Sequence, residues 1–136
     1  MQPSLSLDEF ISLPDEHIEY LIQEPKTCLL GLNGTMRWFT LESSESVTSP
    51  QDQFLRTYAD TTSQRLAEIC DMAFSHGIHT LLIPLLNETL FAGRSHQYAQ
   101  MMLEALPNIT SGGFMDEVYA RHEAKVSFYG DYENIV

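Results

Sequence analysis

Three runs rich in strand-forming residues, 27–32, 78–86 and 125–129, are separated by long stretches of helical periodicity. Crossovers of that length are what parallel strands require, whereas antiparallel neighbours can be joined by a two-residue turn. The spacing therefore predicts an α/β fold: a parallel sheet of about three strands with helices on both faces. At 136 residues the chain can bury a real core, and residues 1–136 are expected to form one domain.

Local signals divide the intervening segments. Ser6 and Glu9 form a capping box ahead of Phe10 and Ile11, so a short helix should begin there and be interrupted at Pro14. A second helix over 15–23 carries Ile18, Leu21 and Ile22 at helical spacing, and Glu24-Pro25 ends it. Residues 42–49 are rich in Ser and Glu and are expected to be a solvated loop. Ser49-Pro50-Gln51-Asp52 marks the start of a long helix with Leu55, Tyr58, Thr62, Leu66, Ile69 and Ala73 on one stripe, widened by Cys70 and Phe74. Gly77 should stop it, and the strand after it should lose regularity near Pro84. A further helix is expected over 94–106, with Tyr98, Met101, Met102 and Ala105 on its core face and Pro107 beyond its end. Gly112-Gly113 is a break, and 114–122 reads as a short helix before the third strand.

The formal charge of −12 argues against non-specific binding to nucleic acid or anionic lipid, which would repel the chain. An anionic ligand such as a diphosphate would need a local cation, either a metal or a focused arginine. Cys28 and Cys70 lack metal-ligand spacing and are expected as buried free thiols in a reducing, cytoplasmic setting. The N-terminus has no signal-peptide pattern, and no run reaches membrane-spanning length. Asn-x-Thr triplets at Asn33, Asn87 and Asn108 are expected to be coincidental in such a chain.

In a parallel sheet the loops leaving the strands emerge along one carboxyl edge, where α/β folds bind ligands. Three polar clusters occupy such exits: Asn33-Gly34-Thr35, Asn87-Glu88-Thr89 and Gly130-Asp131. Topology alone would gather them on one side. Each also has a plainer explanation as a turn, with Arg37 a surface cation and Trp38-Phe39 part of the core. His76 and His79 straddle Gly77 and do not read as a metal pair, and His96 and His122 are expected at or near the surface. Met101 and Met102 are expected as core filler.

The segments Asn33-Gly34-Thr35-Met36-Arg37-Trp38, Leu86-Asn87-Glu88-Thr89 and Phe128-Tyr129-Gly130-Asp131 resemble, in order, the three strand-exit motifs of cis-prenyltransferases of the undecaprenyl diphosphate synthase type. The stretch from Asn33 to Glu42, the segment Ser75-His76-Gly77-Ile78-His79-Thr80, and His122-Glu123 through Asp131-Tyr132 are more similar to an offshoot of that family, the tuberculosinol synthase and tuberculosinyl adenosine transferase type. The resemblance implies a cis-prenyltransferase-like fold and a terpenoid synthase or transferase acting on an allylic prenyl diphosphate such as geranylgeranyl diphosphate. It implies catalytic roles at Asn33, Arg37 and Glu88, and diphosphate binding at Gly34, Thr35, Arg37 and Arg94. It further implies Mg²⁺ held by Asn33 and Glu88, Asp131 on the site rim, and an isoprenoid tunnel along the helix faces around Tyr58 and Leu66.

The chain departs from that pattern where charge is concerned. Asn33 replaces the family's metal-binding aspartate, Met36 replaces one of two arginines, and in residues 87–95 only Glu88 and Arg94 keep an acid and a base. The family's fold also continues well beyond a third strand. A homo-oligomer or a complementary subunit completing the sheet is therefore expected. The alternative to an enzyme is a catalytically silent partner subunit or degenerate fragment; a small binding module for another anion is a third, less favoured option.

Overall fold

The computed structural model describes residues 5–22, 24–43, 51–85, 96–110 and 113–130. Chain order is α1 (Leu7–Ile11), α2 (Asp15–Leu21), β1 (Lys26–Leu29), α3 (Thr35–Glu42), α4 (Gln51–Ser75), β2 (Ile78–Leu82), α5 (His96–Thr110) and α6 (Met115–Arg121). The Ser6 capping box forms as expected: Ser6 Oγ accepts from the Glu9 amide, and the Glu9 carboxylate accepts from the Ser6 amide at 2.9 Å. Pro14, pre-set in φ, caps α2 without a side-chain hydrogen bond.

β1 and β2 pair in parallel, with Cys28 opposite Leu81 and Leu29 opposite Leu82. The Leu30 amide extends the pairing by donating to the Leu82 carbonyl at 2.9 Å. One face of this ribbon, with Leu30, Leu81 and Ile83, packs on a cluster of Leu66, Ala67, Cys70, Met115 and Val118 from α4 and α6. A second cluster joins Phe39 of α3 to Leu55 and Tyr58 of α4 and to Tyr98 and Met101 of α5. Phe39 is fully buried, its ring edge-on to Phe54 at 5.3 Å and to Tyr58 at 5.5 Å. Aromatic rings favour that geometry, edge hydrogens against a π face.

The two clusters share α4, which touches α2, α3, α5, α6 and β2. Its buried stripe is Leu55, Tyr58, Ser63, Leu66, Ala67 and Cys70, while Thr62, Ile69 and Ala73 are only half-buried. Burial of Cys70 pushes its thiol up to about 11, as befits a free, unreactive cysteine; Cys28 is free and half-buried. Across the α4–α6 contact, Arg121 Nη1 donates to both Asp71 oxygens at 2.8 Å, and His122 Nε2 lies 2.8 Å from Asp71 Oδ1. The hydrogen bond from His122, then the Arg121 charge, hold the Asp71 carboxyl below its usual range against the opposing effect of partial burial.

Several expectations require correction. The sheet has two strands among the described residues, not three: residues 125–129 stay outside the ladder, with Val126 and Tyr129 exposed. Their strand propensity is real, but a lone strand gains little until its apolar side chains find a surface to bury. Among the described residues, helices do not cover both faces either. Among the described residues one face is open, with Leu29 68 % and Leu82 43 % exposed. α5 does not end at Leu106; it runs through Pro107 to Thr110. Pro107 lies in the last turn, where one forfeited backbone bond is tolerable once Tyr98, Met101 and Ala105 are buried. α3 was absent from the expected order of elements, and it reaches Glu42, where a loop was expected. Tyr58 and Leu66 are enclosed by the protein's own side chains, so that face of α4 fills the core rather than a lipid tunnel. The expected 42–49 loop from residue 44 onward and the Ser49-Pro50 cap lie outside the described residues.

Two helix ends use left-handed backbone with opposite economy. Gly77 (φ 79°) ends α4, and a Cβ there would meet the Glu19 backbone at 3.3 Å. Glu123 (φ 50°) follows α6 in the same conformation, with the Ala124 amide returning to the Tyr119 carbonyl at 3.0 Å, a Schellman closure normally given to glycine. Gly77→Ala should lower unfolding free energy by about 1–2 kcal/mol, whereas Glu123→Gly should raise it by about 0.5 kcal/mol, both read from urea unfolding. Because the folded pKa of Asp71 is depressed, its ionic contribution is present above about pH 4 and lost as pH falls through the folded value. The stability gap between wild type and Asp71→Asn should therefore be widest near neutrality and close in acid.

Candidate functional site

The site grows from the exit of β1. Parallel pairing puts the carboxyl ends of β1 and β2 side by side, at Leu29 and Leu82, so the chain leaves both strands at the same edge. After β1, residues 30–33 run to Gly34, whose φ of 76° turns the backbone into α3. Asparagine or glycine is the usual choice for such a turn, and Gly34 carries the left-handed residue without steric cost.

Arg37 lies one turn into α3 and folds back over this corner. A Cβ built on Gly34 would stand 3.7 Å from Arg37 Nη2 and 4.0 Å from Nε. The guanidinium thus sits beside the first amides of the helix, and it is exposed. No acidic residue occupies the first turn of α3, and Gly34 brings no side-chain cap. The leading amides and the positive end of the helix dipole are left for an external acceptor. Thr35 Oγ1 is 2.7 Å from the Tyr58 hydroxyl of α4, which ties the first residue of α3 to the core. Trp38 and Met36 are half-buried against the Phe39 cluster, in keeping with the core role expected for Trp38-Phe39.

Chemically, this corner can bind an oxyanion through amide and guanidinium donors. Asn33, exposed at the turn, can contribute a neutral amide group. Of the residues expected to share the site, the structure brings together Asn33, Gly34, Thr35 and Arg37; Glu88, Arg94 and Asp131 lie outside the described residues. Gly130 is described, in a left-handed conformation (φ 107°), at the end of the segment that lies outside the β ladder. Among the described residues no group of three His, Cys, Asp or Glu side chains could hold a metal ion. A hard dication needs anionic oxygen, so Asn33 does not fit a resident Mg²⁺ by itself.

α3 starts without a capping side chain that would mark it locally, and the Thr35–Tyr58 pairing spans 23 residues, beyond any local signal. The Asp71–Arg121–His122 cluster was missed for the same reason. Its His122 borders a cleft of about 490 Å³ with Glu19, His79, Glu123 and Lys125, next to Gly77 and Ile78 at the amino end of β2. That is the opposite end of the strand from the exits discussed above.

None of the helices among the described residues is long and apolar enough to cross a membrane. No protein-family model matches the chain. It is 30 % identical over 131 residues to tuberculosinyl adenosine transferase of Mycobacterium tuberculosis (strain CDC 1551 / Oshkosh), an alignment covering 95 % of this chain and 41 % of that relative. The chain thus spans less than half the length of the curated relative it matches, a protein named as a transferase.

Proposed function

We propose that this chain handles an allylic prenyl diphosphate, such as geranylgeranyl diphosphate, as the front part of a prenyltransferase or terpenoid synthase type of enzyme. The observation that carries it is the Gly34–Arg37 corner. An uncapped helix start and a guanidinium meet at the exit of a parallel strand, in a chain 30 % identical to tuberculosinyl adenosine transferase. In a protein of net charge −12, a focused arginine is what makes a diphosphate tolerable.

On this reading the bond between the allylic carbon and the diphosphate oxygen breaks heterolytically, and the electron pair leaves with the oxygen. Donors already aimed at that oxygen lower the barrier because they need not reorganise as charge develops. Arg37 and the amides from Gly34 to Arg37 supply them, with the Thr35 hydroxyl beside them. Asn33 orients the diphosphate without adding charge; by the same resemblance Glu88 is assigned a catalytic role, Arg94 diphosphate binding and Asp131 the rim. The described residues do not fit a resident Mg²⁺; the ion would arrive as a companion of the diphosphate and help neutralise the charge on the leaving group.

A second reading, a catalytically silent partner subunit, is favoured by two observations. Asn33 and Met36 are uncharged where the resembling family carries charge, and the outer sheet face with Leu29 and Leu82 is uncovered among the described residues. Purified protein should bind geranylgeranyl diphosphate in calorimetric titrations run with and without Mg²⁺, and Arg37→Ala should weaken binding by about tenfold or more. An unmeasurable affinity in wild type would sink the reading. Binding without released diphosphate, converted to Mg²⁺-dependent tighter binding by Asn33→Asp with Met36→Arg, would favour the silent subunit.

A further inference from the structure

We propose that the outer edge of β2 is a docking site for an extended, basic segment of a partner protein, which joins the sheet there as an added strand. Among the described residues β2 has one neighbour, β1. The Leu30 amide donates to the Leu82 carbonyl, so Leu82 directs its backbone groups toward β1. Successive residues of a strand direct theirs to alternate edges, so Thr80 also serves β1 and Leu81 serves the far edge. The Leu81 N–H and C=O make no hydrogen bond among the described residues. Its side chain, meanwhile, packs against the Leu66–Met115 cluster and fixes the strand in place. A donor and an acceptor held rigidly and left open are what a further strand takes up.

Leu81 opens into the cleft of about 490 Å³. Four consecutive β2 residues, Ile78 to Leu81, line it and no residue of β1 does, so it runs along the edge of the ribbon and not across a face. The window is short. At one end His79 lies opposite no β1 residue, because the register steps from Lys26–Ile78 to Thr27–Thr80, and such a bulge blunts an edge. At the other end Pro84 has no N–H to offer. Residues 122–125 form the far wall, yet the segment continuing from them stays outside the ladder. The lining selects the occupant. Phe74 of α4 gives an apolar wall for an inward-pointing side chain, and Glu19 and Glu123 outnumber Lys125 in a chain of net charge −12. Apolar residues alternating with lysine or arginine meet both conditions. Main-chain hydrogen bonds then supply affinity, and the alternate side chains and their charges supply selectivity. This edge lies away from the Gly34 corner and stands independently of the diphosphate reading.

The probe is a fluorescein-labelled, end-blocked Lys-Val-Thr-Val-Lys peptide followed by anisotropy, with amide hydrogen exchange read by NMR on the same protein. Saturable binding is expected, with exchange of the Leu81 amide slowed while the Thr80 amide, already directed at β1, is unchanged. N-methylation of alternate peptide amides should act unequally: one alternating set weakens binding about tenfold and the other is neutral, since only one set faces β2. Glu19→Lys combined with Glu123→Lys leaves the core untouched, as both residues are exposed, and should weaken binding about fivefold. A Glu-Val-Thr-Val-Glu peptide should bind wild type less tightly than the lysine peptide. Absence of saturable binding, equal effects of the two methylation sets, or binding without slowed Leu81 exchange would overturn the proposal. So would a Leu81 amide as protected as that of Thr80 in the free protein, which would mean that the chain's own residues occupy the edge. Equal affinity for the two peptides, or no effect of the charge reversal, overturns the basic partner.

Discussion

Burial along α4 is the constraint on which the other elements depend. A helix of 25 residues extends nearly 40 Å at about 1.5 Å per residue, longer than one packed cluster can cover. It therefore carries two clusters, one around Phe39 and Tyr58 near its start and one around Leu66, Cys70 and Met115 further on. Small residues, Ser63 and Ala67, lie on the buried side between and beside them, where neighbouring elements come close. Neither α3 nor α6 is long enough to be stable alone, since helices below roughly 12 residues are marginal in water. Both exist because α4 offers them a surface.

That dependence explains how a chain with so few cations can present one at a defined place. Arg37 is fixed in position by Phe39, two residues on, which is locked in the core, and by Thr35, which is held by Tyr58. The charge itself stays in water, where it is inexpensive to keep. Anchoring the backbone while solvating the head group gives a binding corner orientation without the desolvation cost of a buried ion. The Asp71 cluster uses charge differently. Its arginine and histidine come from the last turn and cap of α6, so they also complement the negative end of that helix dipole.

The sheet is the least satisfied part of the described molecule. Parallel strands are normally covered on both faces, because their unpaired edges and apolar side chains otherwise meet solvent. Here the inner face is packed and the outer one is not, and apolar residues of the 126–130 segment also face outward. The alternation that points Cys28, Leu30, Leu81 and Ile83, all half-buried, to the inner side necessarily turns Leu29 and Leu82 to the other. An open apolar face beside an uncharged Asn33 is the physical basis for weighing a partner-subunit role against an enzyme.

Local chemistry was legible from residue order. The Ser6 capping box and the stop at Gly77 depend on conformations that nearby residues dictate, whereas the parallel pairing of the two apolar runs follows from the length of the crossover and the core role of Phe39 from its apolar ring. Along the α4 stripe that the periodicity predicts, Leu55, Tyr58, Leu66 and Cys70 are buried, whereas Thr62, Ile69 and Ala73 are only half-buried. Over 25 residues, small differences in where neighbours pack decide which side of the stripe is covered. Pro107 and residues 125–129 show the opposite limit: propensity set an expectation that burial, or its absence, overrode. For the candidate site, sequence alone determined which donors the turn after β1 can offer, since glycine, threonine and arginine carry their chemistry with them. Only tertiary structure decided that Arg37 folds over Gly34 and that Tyr58 holds Thr35, because those distances are set by how α3 lies on α4, and no residue encodes that packing locally.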